Sequence, residues 1–446
     1  MKYASLLSLG CAKNLVDSEQ MVKQLLDLGY RMTEEAADAE LIVVNTCGFL
    51  ESAVQEAIET ILEAARYKTS GKCRMLVAAG CMVQRYGKKL LKELPEVDLF
   101  LGTSHCHALE AALESKLAGN QRRLWIARPV QLPGGGDGRV ISTGSHSAYL
   151  KIAEGCSNSC SFCIIPHLRG PLRSRPEADI LAEAARLAAD GIKEINLIAQ
   201  DTTAFGLDRN DPEALPVLLE KLDGTPGLEW IRLLYSYPDR ITDRLLHTMA
   251  SAGKIVPYLD IPIQHCAPAV LKTMGRPDGP VERIIDNIRS AVPGISLRTS
   301  IMVGFPGETR AEFKSLLDFM QRVEFDHAGV FAYSLEAGTR AARLAGRPGK
   351  KTSEGRRKSI LDLQREISRR KLQRLVGQTL PVLIEGPHPE TDLLLAGRLS
   401  TQAPEVDGSV IITAGLAQAG EIRAVQITAA HDYDLEGTIL EISYDR

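Results

Sequence analysis

The chain has 446 residues, 44% of them hydrophobic and 24% charged. This describes a globular protein of two or three domains and excludes a disordered or collagen-like chain. The formal net charge of −3 identifies no partner, and no run of about 18 apolar residues is present to cross a membrane.

The first apolar run, "YASLLSLGC", ends at Cys11. It has some likeness to a lipoprotein cleavage site, but the run is short and Lys13 and Asp17 follow at once, so it reads as a strand and a loop. Two further runs, "LIVVNTC" and "RMLVAAGC", end at Cys47 and Cys81. Between the three runs lie "SEQMVKQLLDLG" (18–29) and "LESAVQEAIETILEAARY" (50–67), both with helical spacing. Such alternation predicts a parallel sheet covered on both faces over residues 1–127. Residues 128–145 are rich in Gly, Pro and Ser without periodicity and read as a linker.

From 146 to 374 the alternation resumes. "AYLKIAEG", "EINLIAQD", "WIRLLYSYP", "YLDIPIQH", "LRTSIMVGF" and "HAGVFAYS" are strand patterns separated by helical ones. Six such units predict a partial (βα)6 TIM-type barrel, whose sites gather at the C-terminal ends of strands. A basic helix over 353–374 closes this region, and residues 340–374 carry thirteen Lys and Arg against three acids. Residues 376–446 change texture to short β-rich runs with Gly turns, which predicts a small antiparallel, OB-like β-barrel. This segment has three basic residues and eleven acidic ones, so it suits a basic partner better than a phosphate backbone.

Nine cysteines, an odd number, argue against a disulfide framework and for thiols or metal ligands in a reducing cytoplasm. Cys156, Cys160 and Cys163 are spaced four and then three apart. Closed zinc and ordinary iron–sulfur sites use four protein ligands, so this set leaves one corner open. Cys11, Cys47 and Cys81 each follow a strand directly. The C-terminal ends of parallel strands share one sheet edge, so these three can converge, although buried free cysteines are also common apolar fillers. Cys73, Cys106 and Cys266 lack that placement and read as structural. Triads of thiolates select soft or iron–sulfur chemistry over magnesium or calcium, with zinc as the competitor.

"CSNSCSFC" resembles the CxxxCxxC signature of radical S-adenosylmethionine enzymes. The resemblance implies that Cys156, Cys160 and Cys163 hold three irons of a 4Fe–4S cluster and that the fourth iron binds S-adenosylmethionine. "NLIAQDTTAFG" and "RTSIMVGFPGET" lie where that superfamily contacts the cofactor, so Gln200, Asp201, Arg298 and Gly304 are expected near it, and Phe162, between two of the cluster cysteines, is expected to pack against its adenine. The whole chain resembles the methylthiotransferase family: a methylthiotransferase domain (1–127), a radical domain (146–374) and a C-terminal TRAM domain (376–446).

"SLGCAKNLVDSE", "NTCGF" and "KIAEGCSNSCSFCIIPHLRGPLRSR" are most similar to the branch that acts on small-subunit ribosomal protein S twelve. That likeness implies methylthiolation of an aspartate β-carbon. One S-adenosylmethionine serves as radical source and a second as methyl donor. Cys11, Cys47 and Cys81 then carry an auxiliary 4Fe–4S cluster that delivers sulfur. The implied partners are a basic ribosomal protein, free or on the subunit, and a low-potential donor such as flavodoxin or ferredoxin, with neither membrane nor DNA. An unactivated C–H bond has no useful acidity, which is why a radical cofactor and not a general base is expected. Two other readings stand beside this one: the same chemistry on tRNA adenosine, and a non-enzymatic iron–sulfur carrier, for which a βα barrel is superfluous.

Overall fold

The N-terminal alternation folds as a parallel sheet between two helical layers. Its elements are β1 (Lys2–Ser8), α1 (Ala12–Asp27), β2 (Tyr30–Met32), β3 (Leu41–Thr46), α2 (Glu51–Ser70), β4 (Met75–Gly80), α3 (Cys81–Tyr86), α4 (Leu90–Glu93), β5 (Leu99–Gly102), α5 (Leu109–Leu117) and β6 (Leu124–Trp125). The strand order is β2-β1-β3-β4-β5-β6. Met21 and Leu25 of α1 and Leu109 and Leu113 of α5 pack on one face, and Ala57 and Ile61 of α2 on the other. The computed structural model describes residues 2–130, 132 and 138–440. Part of the expected linker (131 and 133–137) and the end of the expected TRAM segment (441–446) lie outside the described residues.

Helix α1 starts six residues before the position its apolar spacing predicts. Its first turns hold Lys13, Asn14, Asp17, Ser18 and Glu19, all buried. Lys13 and Asp17 face the second domain, Glu19 meets Arg139, and Asn14 and Ser18 bond the sheet, so most of this burial is polar and weakly visible to a hydrophobic pattern.

That domain contains β7 (Ser147–Lys151), β8 (Ala153–Glu154), α6 (Ile165–Arg169), β9 (Arg173–Ser174), α7 (Glu177–Ala189), β10 (Glu194–Ile198), α8 (Ala214–Asp223), β11 (Trp230–Leu233), α9 (Asp243–Ser251), β12 (Ile255–Asp260), α10 (Pro268–Met274), α11 (Val281–Ala291), β13 (Ser296–Val303), α12 (Arg310–Val323), β14 (His327–Ala332) and α13 (Lys350–Gln373). Six parallel strands in the order β14-β13-β12-β11-β10-β7 form the open barrel. Alternate residues such as Leu150, Leu197, Leu233 and Leu297 point outward into the largest core. Tyr149, Trp230 and Tyr258 point the other way, where Val16 of α1 and Leu383 and Ala403 of the C-terminal domain join them. The hollow of the open barrel is therefore filled by its two neighbours.

The C-terminal strands are β15 (Thr379–His388), β16 (Thr391–Leu399), β17 (Val410–Ala414), β18 (Ile422–Ala430) and β19 (Leu435–Ile439), closed in the order β15-β16-β17-β19-β18. Four ladders are antiparallel, as expected, and β17–β19 is parallel. Strand directions cannot alternate all the way round a ring of five, so one parallel ladder is unavoidable.

Buried ion pairs fasten this small barrel to the large one. Glu194 accepts from Arg232 at 2.8 Å and from Arg398 at 2.5 Å, and Arg398 also reaches Glu385 at 2.6 Å. Asp407 accepts from Arg298 at 2.5 Å and from the Tyr258 hydroxyl at 2.7 Å. Helix α13 is held by Lys371–Asp326 and Arg370–Glu324 pairs on the large barrel, and its Arg365 and Arg369 approach Asp432 of the small one.

Two expectations follow. Replacing Arg398 by Met leaves Glu194 buried with one cation, a change that costs about 3–5 kcal/mol. Limited proteolysis should then release the C-terminal domain at temperatures where the wild type resists. The second concerns acid. Arg398 and Arg232 hold the Glu194 carboxyl well below its usual range against burial, and Lys151 and Arg169 bring Glu154 from 4.5 to about 2. A depressed folded-state pKa contributes stability above the ordinary value and loses it as pH falls toward the folded one. The melting temperature should therefore drop steeply from about pH 4.5 down toward about pH 2; a flat profile there would contradict these pairs.

Candidate functional site

Parallel register brings the three N-terminal strand ends level, with Ser8 opposite Asn45 and Thr46 opposite Gly80. Cys47 and Cys81 follow those ends directly, and Cys11 caps α1 in extended backbone. Two glycines let the loops close. A Cβ on Gly10 (φ +99°) would stand 3.0 Å from the Cys47 Cβ, and one on Gly48 would stand 2.6 Å from the Cys81 carbonyl carbon. The Asn14 side chain stitches the loops together, donating to the Leu9 and Thr46 carbonyls at 3.0 Å each, while its Oδ1 accepts from the Cys81 thiol at 3.7 Å.

The second triad lies in the loop between β8 and α6. The backbone N–H of Asn158 donates to Cys156 Sγ at 3.5 Å and that of Ile165 to Cys163 Sγ at 3.4 Å. The Arg276 guanidinium lies 3.8 Å from Cys160 Sγ. Donors aimed at sulfur stabilise thiolate and tune a bound cluster.

Burial pushes the Cys81 thiol up to about 11 and Cys163 up to about 12, and it also raises Cys47 and Cys156. Burial acts on Cys11 in the same sense, but Lys13 and Arg169 outweigh it and hold that thiol below its usual value. Cys11 is exposed, Cys47 and Cys163 are half-buried and Cys81 and Cys156 buried, and thiols so placed become thiolates when a metal supplies positive charge. Three sulfurs in each set, with N–H groups or cations close by, fit an iron–sulfur cluster with an open corner. Among the described residues no three His, Cys, Asp or Glu side chains stand in finished coordination geometry, so loading requires the thiols to turn onto a common centre.

The two triads lie on the two sides of the domain boundary, and one contact links them. Cys81 packs in one apolar cluster with Ile164 and Leu168, on the loop and helix that follow Cys163. Beside them lies a buried four-charge network. Lys151 pairs with Asp17 and, at 3.0 Å, with Glu154; Arg169 pairs with Asp17 at 2.6 Å and Glu154 at 3.3 Å and also reaches the Asn14 amide.

The expected cofactor neighbours separate into three groups. Gln200 donates to Glu154 at 2.7 Å, and Asp201 accepts from Asn158, inside the cysteine loop, at 2.7 Å. Phe162 stacks edge-on against Phe305 at 6.4 Å, and Gly304, whose N–H bonds Glu308, precedes that ring. Arg298 is engaged by Asp407 and by the Val406 carbonyl of the C-terminal domain. Among the other cysteines, Cys73 and Cys266 lie away from both triads' loops. Cys106 differs from expectation: it sits on the same sheet edge, just past β5, but its thiol turns back to the Gly102 carbonyl at 3.5 Å.

Sequence reasoning missed Lys13, Tyr235 and Asp260. Lys13 is buried with its Nζ 3.1 Å from the centre of the Tyr235 ring. Tyr235 has φ +61°. Asp260 ends β12; burial pushes its carboxyl up to about 6 against the pull of Arg298, and its Oδ1 has no partner. Only Lys13, a charge two residues after a candidate ligand, left a signal in the sequence.

Three family models match: Uncharacterized protein family UPF0004 over residues 4–102, the Radical SAM superfamily over 150–320 and the TRAM domain over 376–440. A ribosomal protein uS12 methylthiotransferase RimO of Syntrophobacter fumaroxidans is 60% identical over 99% of both chains. The protein of the same name from Syntrophotalea carbinolica is 47% identical, covering 98% of this chain and 97% of that one. Among solved structures, the radical S-adenosylmethionine methyltransferase TsrM of Kitasatospora setae, with tryptophan and a cofactor analogue bound, shares the fold at a TM-score of 0.54 and 15% identity, over 74% of this chain and 73% of that one. With 60% identity sustained over nearly its full length, the chain belongs to the RimO family of radical S-adenosylmethionine methylthiotransferases.

Proposed function

We propose that this enzyme methylthiolates the β-carbon of an aspartate in ribosomal protein uS12. The observation that carries this reading is the packing of Cys81, of the first triad, on Ile164, the residue after Cys163 of the second. Radical generation and sulfur delivery need separate clusters close enough to share one substrate carbon, and the contact at the domain boundary supports such an arrangement. Cys156, Cys160 and Cys163 would hold the cluster that cleaves S-adenosylmethionine to the radical that removes hydrogen. Cys11, Cys47 and Cys81 would hold the auxiliary cluster, and a second S-adenosylmethionine would supply the methyl group. Asp201, through Asn158, steadies the radical loop, and Phe162 and Gly304 line its apolar side.

The names of the relatives support uS12 as substrate, and so does charge. Of the C-terminal acids, Asp407 and Glu385 are engaged within the fold, whereas Glu390, Asp392 and Glu405 remain exposed. Exposed acids suit a basic ribosomal protein and repel a phosphate backbone. The same chemistry on tRNA would need the opposite charge there. We place the enzyme in the cytoplasm, supplied by a low-potential electron donor.

The deciding experiment offers purified uS12, small subunits and tRNA to the anaerobically reconstituted enzyme and reads the methylthio mass increment. Modified tRNA with untouched uS12 would overturn the substrate assignment. A second test concerns the ligands. Changing Cys156, Cys160 and Cys163 to Ala should halve the iron and abolish deoxyadenosine formation. Changing Cys11, Cys47 and Cys81 should also halve the iron, with cleavage of S-adenosylmethionine surviving. Substitution of Cys73, Cys106 or Cys266 should leave iron unchanged and cost about 0.5–3 kcal/mol of stability; iron loss in any of these would reassign the thiols.

A further inference from the structure

Lys13 is a buried lysine drawn by the Cys11 thiol and the Asp260 carboxyl but bonded to neither. It is 8% exposed, and among the described residues no carboxylate forms an ion pair with its Nζ. The other cations at this boundary are satisfied: Lys151 and Arg169 share Asp17 and Glu154. The ammonium lies over the face of Tyr235, 3.1 Å from Nζ to the ring centre. A ring face attracts a cation but satisfies none of its three donors.

Two features show that this arrangement is held in place. Tyr235 keeps a left-handed backbone (φ +61°), which is strained for a non-glycine residue and persists only where the surroundings impose it. Those surroundings are visible: its N–H donates to Asp260 Oδ2 at 3.1 Å, and its carbonyl accepts from the Thr202 N–H at 3.0 Å. Lys13 also lies in the first turn of the 16-residue helix α1, where the helix dipole favours an anion. Asp260 attracts the ammonium, but its Oδ2 accepts from Tyr235 and Arg298 also draws its charge.

We propose that Lys13 is the carboxylate anchor of the substrate pocket, its ammonium pairing with the side chain of the aspartate to be modified. This rests on the functional reading above. Holding the carboxylate fixes the adjacent β-carbon between the Cys11 edge and the barrel loops, and fixing the reacting atom is what an enzyme of this kind must supply. The anchor also selects: an asparagine at the same position offers no charge to Lys13.

The test measures binding of uS12, with its target aspartate or with asparagine there, to anaerobically reconstituted enzyme. Wild type should prefer aspartate by about ten- to hundred-fold, the range for a hydrogen bond to a charged group. Lys13→Met should lose that preference, and Lys13→Arg should restore part of it. An undiminished preference in Lys13→Met would overturn the proposal. So would loss of iron from that variant, which would make the lysine a partner of the cluster charge. Weakened binding of S-adenosylmethionine alone would assign it to the cofactor carboxylate, with the same consequence. If wild type does not bind uS12 at all, the functional reading fails, a result separate from any behaviour of the variants.

Discussion

The four-charge network of Asp17, Lys151, Glu154 and Arg169 sets the geometry of everything else. Two cations and two anions are taken out of water together, and each is bonded to two partners across or along the domain boundary. Breaking one buried partner out of such a set is far more damaging than never having built it. The network therefore specifies a single docking of the N-terminal sheet on the barrel mouth. That docking brings Cys81, on the sheet edge, against Ile164 and Leu168, which follow the loop of Cys156, Cys160 and Cys163. Apolar packing alone, which tolerates sliding, would not fix their separation.

A second constraint operates at the other end of the large barrel. A six-stranded open barrel has a hollow that water would enter, and its inward positions include the charged Glu194, Arg232 and Arg298. The C-terminal domain supplies what they lack, in Arg398 and Asp407. The small barrel is thus part of the scaffold as well as a surface for a partner. The basic helix α13 bridges the two barrels, and several of its charges are engaged by acids of the chain itself.

Much of this was legible in the sequence, for a physical reason. An apolar run that stops at a cysteine marks both a buried strand and its end, so the convergence of Cys11, Cys47 and Cys81 could be argued from spacing. All six strands of the large barrel were visible in the same way. What escaped was polar burial and long-range pairing. Helix α1 begins at Ala12, and its polar first turns gave no apolar signal. Arg298 could be placed near a strand end, but its partner lies 109 residues later in the chain. The left-handed Tyr235 was unreadable because nothing in an aromatic residue announces that conformation. Cys106 was set apart by its distance from a strand, yet a short turn returns it to the same edge.

The odd strand count of the C-terminal barrel has a consequence for how the protein is made. β19 is the seam of the cylinder, paired with β17 on one side and β18 on the other. It leaves the ribosome after both of them. Until it arrives, two strand edges are bare, and bare edges recruit other chains. Arg398 and Asp407 have been synthesised by then and can already enter the hollow of the large barrel. Docking before closure would keep the unfinished cylinder off its neighbours, so the large barrel acts as a template for the domain that later plugs it.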